Sequence, residues 1–177
     1  MKRKFHGGRR PAAAFLSGLF VLFAAACGYR LVGKHAALPG GGTELSVPLL
    51  KNQTLEAGLE DIIAQELRKQ LLSDSRLRLR PEAPVELRGT ITGATRQPMS
   101  FSNLGRVNVE REKVTAEFRL VRSAGGEVLW QSGELSADEE YPVGTDPLET
   151  ERARERALRE VAEELVETAV ELLLNDF

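Results

Sequence analysis

The sequence of 177 residues contains a single cysteine and only two histidines, which limits the chemistry that it can carry. One cysteine can form neither an intrachain disulfide framework nor a zinc site built from four thiolates. With 8 prolines and 16 glycines, the composition is neither collagen-like nor of low complexity. Apolar residues make up 42% and charged residues 28%, enough for a hydrophobic core and a solvated surface. These proportions predict one globular domain.

The start of the chain has no acidic residue, and the stretch that follows has no charge at all. Met1 to Arg10 contains five basic residues, and residues 11–26 are apolar or small. This pattern predicts a secretory signal peptide, because the uncharged stretch is shorter than the roughly 20 residues that a transmembrane helix needs. The predicted organisation is therefore a signal peptide over residues 1–26 and a single domain over residues 27–177. The net charge falls from −2 to −7 once the signal peptide is removed.

The only cysteine, Cys27, directly follows this stretch in the sequence Ala24-Ala25-Ala26-Cys27. The motif resembles a bacterial lipobox, in which cleavage before the cysteine precedes its lipidation, although Ala24 stands where leucine is usual. Two or more acyl chains hold a protein stably on a membrane, so Cys27 is the predicted lipid anchor. The alternative is an ordinary signal peptide with a cysteine there by chance. Gly28, where an aspartate signals inner-membrane retention, favours the outer membrane.

Two segments have the three- and four-residue spacing of apolar side chains that is typical of amphipathic helices. The first extends from Leu55 to Leu71, and Thr54 is its predicted N-cap. The second begins with Asp146 as N-cap and Pro147 as the first helical residue, close to a capping box. Its predicted apolar stripe consists of Ala153, Ala157, Leu158, Val161, Leu165, Ala169, Leu172 and Leu173.

Other segments alternate apolar and polar residues with the period of two that predicts strands. Val107 and Val109 are out of phase with Val114, so we expect a bulge near residues 111–113. Ser123–Gly126 is predicted to form a hairpin turn. The fold class that we predict is α+β, a two-layer sandwich of two amphipathic helices on a mainly antiparallel sheet of four or five strands. The predicted strands are residues 44–49, 76–80, 85–92, 114–122 and 128–132, and residues 29–32 are predicted to be a short extended piece.

Basic residues are concentrated in the strand segments, where Arg76 to Arg122 contains ten basic and five acidic residues. Arginines 76, 78 and 80 would share one face of a strand, from which guanidinium groups can bind phosphates or carboxylates. Because an exported protein does not meet nucleic acid, the polyanion to consider is lipopolysaccharide or an anionic lipid. The alternative is an ordinary solvated strand face. We interpret the acidic last helix, with eight glutamates and four arginines from Glu149 to Glu171, as a solvated face.

Residues suited to catalysis are scarce beyond the signal peptide. The remaining histidine, His35, has no carboxylate or cysteine near it in sequence, and no P-loop, nucleophile elbow or metal-binding histidine spacing occurs. Acid pairs such as Glu110 and Glu112 have the residue type for glycoside hydrolysis, but such clusters usually solvate a surface. We therefore predict a protein with no catalytic residues, no metal site and no cofactor.

In its order of features the chain resembles the LptE family of outer-membrane lipopolysaccharide-assembly lipoproteins. The resemblance rests on Cys27–Gly33, on Pro48–Thr54 before the first helix, and on the hairpin Gly125–Trp130. Tyr141 and the long terminal helix complete it. Each motif is short, so the resemblance depends on the order of the motifs along nearly the whole mature chain.

The resemblance implies a lipid-anchored protein on the periplasmic side of the cell outer membrane. Such proteins plug a lipopolysaccharide-assembly β-barrel of the LptD type, assist its assembly and take part in inserting lipopolysaccharide into the outer leaflet. Arg78, Arg88 and Arg119 are then the predicted contacts to the phosphates of lipopolysaccharide. One alternative is an auxiliary lipoprotein of an ABC-type lipid transport system. Another is a lipidated enzyme, which would need a polar cleft holding a carboxylate pair.

Overall fold

The computed structural model describes residues 38–39 and 42–175, all within one compact unit, His35–Phe177. Three predictions lie outside the described residues: the signal peptide, the Cys27 anchor and the extended piece at residues 29–32. In chain order the elements are β1 (Glu44–Leu45), β2 (Lys51–Asn52), α1 (Leu59–Ser73), β3 (Arg78–Leu79), β4 (Val85–Phe101), β5 (Val107–Arg122), β6 (Val128–Pro142) and α2 (Pro147–Asn175).

The main sheet has four strands in the order β2-β4-β5-β6. The three long strands β4, β5 and β6 form an antiparallel meander, and β2 pairs in parallel with β4 at Thr90 and Ile91. The short strands β1 and β3 form a separate parallel pair, and a bridge between Ser46 and Glu86 connects β1 to the start of β4. Both helices pack on one side of this framework. The predicted α+β two-layer sandwich is confirmed.

The start of α2 confirms the prediction made for it, because the Leu148 N–H donates to the Asp146 carboxylate at 2.8 Å. Its buried stripe is broader than predicted, since the helix contacts α1 as well as β5 and β6 and must bury two adjacent rows. Leu172, predicted to be buried, is 38% exposed. The buried residues that the prediction missed are Arg154, Ala162, Val166 and Val170.

The start of α1 differs from the prediction. The helix begins at Leu59, after Gly58 in the left-handed conformation with a φ of 90°, and it has no side-chain cap. The Thr54 hydroxyl instead donates to Asn52 Oδ1 at 2.8 Å and accepts from the Glu56 N–H at 3.2 Å. These local hydrogen bonds compete with helix formation, so the chain forms a loop before the helix begins. The N-cap prediction for Thr54 is therefore wrong.

The long strands extend further than predicted, and the expected bulge near residues 111–113 does not occur. Strand β5 is paired without interruption there, with Arg111 opposite Glu140 and Lys113 opposite Asp138. Val107 and Val109 are out of phase with Val114 for another reason. Glu112 lies on the inner face with Val114 and is itself buried, so a charged residue occupies an inner position where an apolar one was expected. The register shifts between β4 and β5 lie instead at residues 91–93 and 98–101 of β4.

The hydrophobic core lies between the inner face of the sheet and the two helices. Its fully buried side chains include Phe118, Ile91 and Leu87 from the sheet and Leu67 and Leu165 from the helices. No helix in the described part of the chain is long and apolar enough to cross a bilayer.

Candidate functional site

The sheet has a second face that neither α1 nor α2, the helices of the described residues, covers, and we call it the outer sheet face. Alternation along the three long strands places mostly polar side chains there, both charged and uncharged. Its polar residues are Glu86, Arg88, Thr90, Thr95 and Gln97 of β4, Arg111, Lys113, Thr115, Glu117 and Arg119 of β5, and Gln131, Glu134, Ser136, Asp138 and Glu140 of β6.

Two of the arginines predicted to contact lipopolysaccharide are neighbours on this face. Arg88 of β4 and Arg119 of β5 lie directly opposite each other in the antiparallel register. Arg88 is paired with Glu86 at 2.8 Å and Arg119 with Glu117 at 3.0 Å, and about half of each guanidinium side chain remains exposed. Like charges directly opposite across strands repel, so an anion placed between them would relieve this repulsion.

The third predicted arginine, Arg78, lies elsewhere. It belongs to β3 in the separate two-stranded sheet, is exposed, and has no ion pair within residues 42–175. The predicted row of three arginines on one strand is interrupted, since β3 has only two residues. Arg76 instead binds Asp74 at 2.5 Å, and Arg80 Nε is 3.7 Å from Glu44. The structure thus brings together Arg88 and Arg119 but not Arg78.

The β6 side of the outer sheet face is acidic, since its charged residues are Glu134, Asp138 and Glu140. Arg111 is 2.5 Å from Glu140 and 3.2 Å from Asp138, so one guanidinium serves two carboxylates of the neighbouring strand. The hydrogen bond to Glu140 raises the pKa of Arg111. The half-exposed arginines of this face, Arg88 and Arg119, therefore lie on the β4–β5 side, each beside one carboxylate.

A group of charges centred on the buried residues Arg154 and Glu112 was not predicted. We call it the Arg154 cluster: Arg154, Glu112, Glu56, Glu151 and Arg96. Arg154 contacts Glu112 at 2.6 Å, Glu56 at 2.7 Å and Glu151 at 3.2 Å, and Glu112 also accepts from Arg96 at 2.9 Å. Burial alone would lower the pKa of Arg154, but hydrogen bonds to Glu56 and Glu112 raise it overall. One guanidinium thus joins α2, β5 and the loop before α1.

Glu110, two residues before Glu112, links the adjacent strands β5 and β6. The buried Tyr141 hydroxyl donates to Glu110 at 2.5 Å, and burial together with this hydrogen bond raises the pKa of Tyr141. Glu110 and Glu112, considered above as an acid pair for hydrolysis, therefore each bind another side chain. Both lie on the inner face of β5, in positions that Val114 and Ala116 continue, which explains why the alternation of apolar residues stops there.

Cavities in the described part of the chain give little support to catalysis. Two cavities of about 430 Å³ are each lined by one acidic residue, Glu86 in one and Glu149 in the other. In a third, of about 400 Å³, Glu44 and Glu82 flank Arg80. Among residues 38–39 and 42–175, no three histidine, cysteine or acidic residues are grouped closely enough to hold a metal ion.

Solved structures of bacterial lipoproteins share this fold. Rare lipoprotein B from Shewanella oneidensis is 16% identical, with 75% of this chain and 95% of that chain covered at a TM-score of 0.51. A minor lipoprotein from Acinetobacter baumannii is 15% identical, with 76% and 92% covered at a TM-score of 0.51. Lipoprotein B from Nitrosomonas europaea is 18% identical, with 80% and 87% covered at a TM-score of 0.50. The chain thus has a fold found in bacterial lipoproteins.

A match between the sequence and a family model shows which family this protein belongs to. The model of a family described as lipopolysaccharide-assembly, LptE, matches residues 43–173, which is most of the chain. This protein therefore belongs to the LptE family, a family of non-catalytic lipopolysaccharide-assembly lipoproteins, and its role lies in lipopolysaccharide assembly. The resemblance inferred from the sequence is confirmed. A search of curated proteins found no significant match.

Proposed function

We propose that this protein is a non-catalytic plug inside a lipopolysaccharide-translocating β-barrel of the LptD type in the outer membrane, and that it assists assembly of that barrel. The observation that carries the proposal is the outer sheet face, which is polar along three strands of 15 to 17 residues. The interior of a wide transmembrane barrel is polar, so a plug must present a polar surface to it. Membership of the LptE family supports the same partner.

In this proposal residues 1–26 are a signal peptide and Cys27 carries the lipid anchor. The described chain enters the fold beside the start of β4, because β1 and Ser46 lie next to Val85 and Glu86. Strand β4 then extends for 17 residues, roughly 55 Å, to the hairpin that follows Phe101. The hairpin is thus at the end of the domain away from the chain entry. We infer that the hairpin end points into the barrel, and that the lipid on Cys27 holds the protein at the inner leaflet.

The partner is tested by purifying the full-length lipoprotein from its own outer membrane in mild detergent and identifying bound proteins by mass spectrometry. We expect one large β-barrel protein in equal amount, because a plug enclosed by a lumen dissociates slowly. A Cys27→Ser variant, which cannot be lipidated, serves as the control for anchoring. Recovery of an inner-membrane ATPase would favour the ABC-transporter alternative, and recovery of the lipoprotein alone would contradict the plug.

The arginine contacts are tested with an Arg88→Ala, Arg119→Ala double variant. If this pair binds phosphates of lipopolysaccharide, the purified variant should bind lipopolysaccharide about tenfold more weakly or worse, since charge-assisted hydrogen bonds contribute about 1.5–3 kcal/mol each. The dependence of binding on salt should also weaken. Lipopolysaccharide binding is measured at two ionic strengths.

The matched control is the Arg152→Ala, Arg156→Ala variant, which removes two exposed arginines of α2 and should bind like the parent protein. Arg78→Ala, tested separately, reports on the arginine that lies apart from the pair. Unchanged binding by the Arg88, Arg119 variant would remove the proposed contact on the outer sheet face.

A further inference from the structure

A cavity lies at the sheet edge where the chain between β1 and β2 leaves the regular ladder. Ser46 still bridges to Glu86, but Pro48 has no N–H to donate, and pairing with β4 resumes only at Lys51. The interruption leaves a space of about 430 Å³, which is within the 300–1,000 Å³ range of small-molecule sites. We call it the Arg68 cavity, and it is distinct from the outer-face arginine pair.

Four of the eight residues that line the Arg68 cavity are apolar. Val47 and Pro48 form one side, and Leu79 and Pro81 form another. Proline rings have one fixed backbone torsion and no N–H group, so these walls offer apolar contact and little to a polar ligand. Val47 and Leu79 also contact the hydrophobic core, which fixes their positions.

One of the polar groups that line the cavity is a cation without a carboxylate partner in the described residues. Arg68 of α1 is partly buried, and its Nη2 donates to the Val47 carbonyl at 3.2 Å. No ion pair with Arg68 is found within residues 38–39 and 42–175. The one acidic residue that lines the cavity, Glu86, already binds Arg88 at 2.8 Å. A partly desolvated guanidinium with unused donors favours an anion at this position.

A second cation reinforces this preference. Arg80 also lines the cavity, and its only contact with a carboxylate in the described residues is the 3.7 Å approach to Glu44. Two guanidinium groups and apolar walls are together complementary to a molecule that has an anionic head and an apolar tail. We propose that the Arg68 cavity binds such an anionic amphiphile, with the head group at Arg68 and Arg80 and the tail against Val47, Pro48, Leu79 and Pro81.

The head group can be the carboxylate of a fatty acid or the phosphate of a lysophospholipid, since both present oxygen acceptors to a guanidinium. The inference does not depend on the barrel partner, because it concerns a cavity of the domain itself. If the cavity bound no amphiphile, the proposed plug function would be unaffected. If the protein proved not to be a plug, the proposal for the cavity would still stand.

The test uses the purified full-length lipoprotein and a dansyl-labelled fatty acid, whose fluorescence rises in an apolar site. We expect saturable binding of one molecule per chain, and binding at least tenfold weaker for the methyl ester, which has the same tail without the charge. Arg68→Gln should weaken binding of the acid about tenfold and leave binding of the ester unchanged. Displacement by lysophosphatidic acid, compared with unlabelled fatty acid, distinguishes a phosphate head from a carboxylate head.

The matched control is Lys69→Gln, which removes the adjacent positive charge of α1, an exposed ammonium that pairs with Glu66. This variant, and an Arg119→Ala single variant, should bind like the parent, since Arg119 pairs with Glu117 and does not line the cavity. Val47→Phe fills the cavity without a change of charge and should abolish binding, which keeps the test decisive if Arg68→Gln does not fold. Absence of saturable binding, equal binding of acid and ester, or unchanged binding by both Arg68→Gln and Val47→Phe would overturn the inference.

Discussion

An Arg154→Met variant is expected to lose about 3 kcal/mol of its free energy of unfolding, because it removes one partner of a buried ion pair. Arg154 and Glu112 have side chains only 9% and 4% exposed, so the substitution would leave the Glu112 carboxylate buried with Arg96 as its remaining partner. Glu56 would lose its contact as well, which releases the loop before α1. Urea denaturation followed by circular dichroism measures the change.

The neighbouring arginine on the same helix provides the control. Arg156 is exposed and has no ion pair within the described elements, so Arg156→Met should change the stability by less than about 0.5 kcal/mol. A double variant, Arg154→Met with Glu112→Met, removes both buried charges and should be more stable than Arg154→Met alone. If the single variant were as stable as the parent, the cluster would have no structural role. If the double variant showed no recovery, the loss would come from packing instead of charge.

The second large effect is expected at Gly89, in the middle of β4. A Cβ atom at this position would lie 2.6 Å from Leu50 Cγ and 3.2 Å from Phe118 Cε1. Leu50 and Phe118 are both buried in the core, so neither can move away without disturbing its own neighbours. Gly89→Ala should therefore cost about 2 kcal/mol and Gly89→Val about 3 kcal/mol, as measured by thermal or urea unfolding.

Another glycine on the same strand serves as the comparison. A Cβ at Gly93 would lie 3.5 Å from Thr115 Cβ, an ordinary contact, so Gly93→Ala should change stability by less than about 1 kcal/mol. If both alanine variants behaved alike, the close approach of Leu50 to β4 would not be the reason for a glycine at position 89.

The sequence predicted helix positions well where capping and periodicity agreed, and poorly where they conflicted. Asp146 followed by Pro147 left one consistent start for α2, whereas Thr54 had the residue type of an N-cap but used its hydroxyl within a loop. Strand β6 was predicted too short because the bulge at Gly133 hides the alternation that resumes at Leu135.

The candidate sites depended on pairing between segments that are distant in sequence. Arg88 and Arg119 become neighbours only through the register of β4 and β5, which no local pattern specifies. The Arg154 cluster did leave a signal, since a charged residue lies within the apolar stripe of α2 and Glu112 interrupts the apolar phase of β5. The Arg68 cavity left none, because its walls come from four separate segments.

The order of strand pairing also has a consequence for the time course of folding. Strands β4, β5 and β6 pair with one another in sequence order, across connections of five residues at 102–106 and 123–127. Strands β1 and β2 reach past α1 to pair in parallel with β3 and β4. Closing long loops costs more entropy and slows folding, so we expect the meander to form early and β1 and β2 to join late. The first part of the domain to be synthesised is then the last to become ordered.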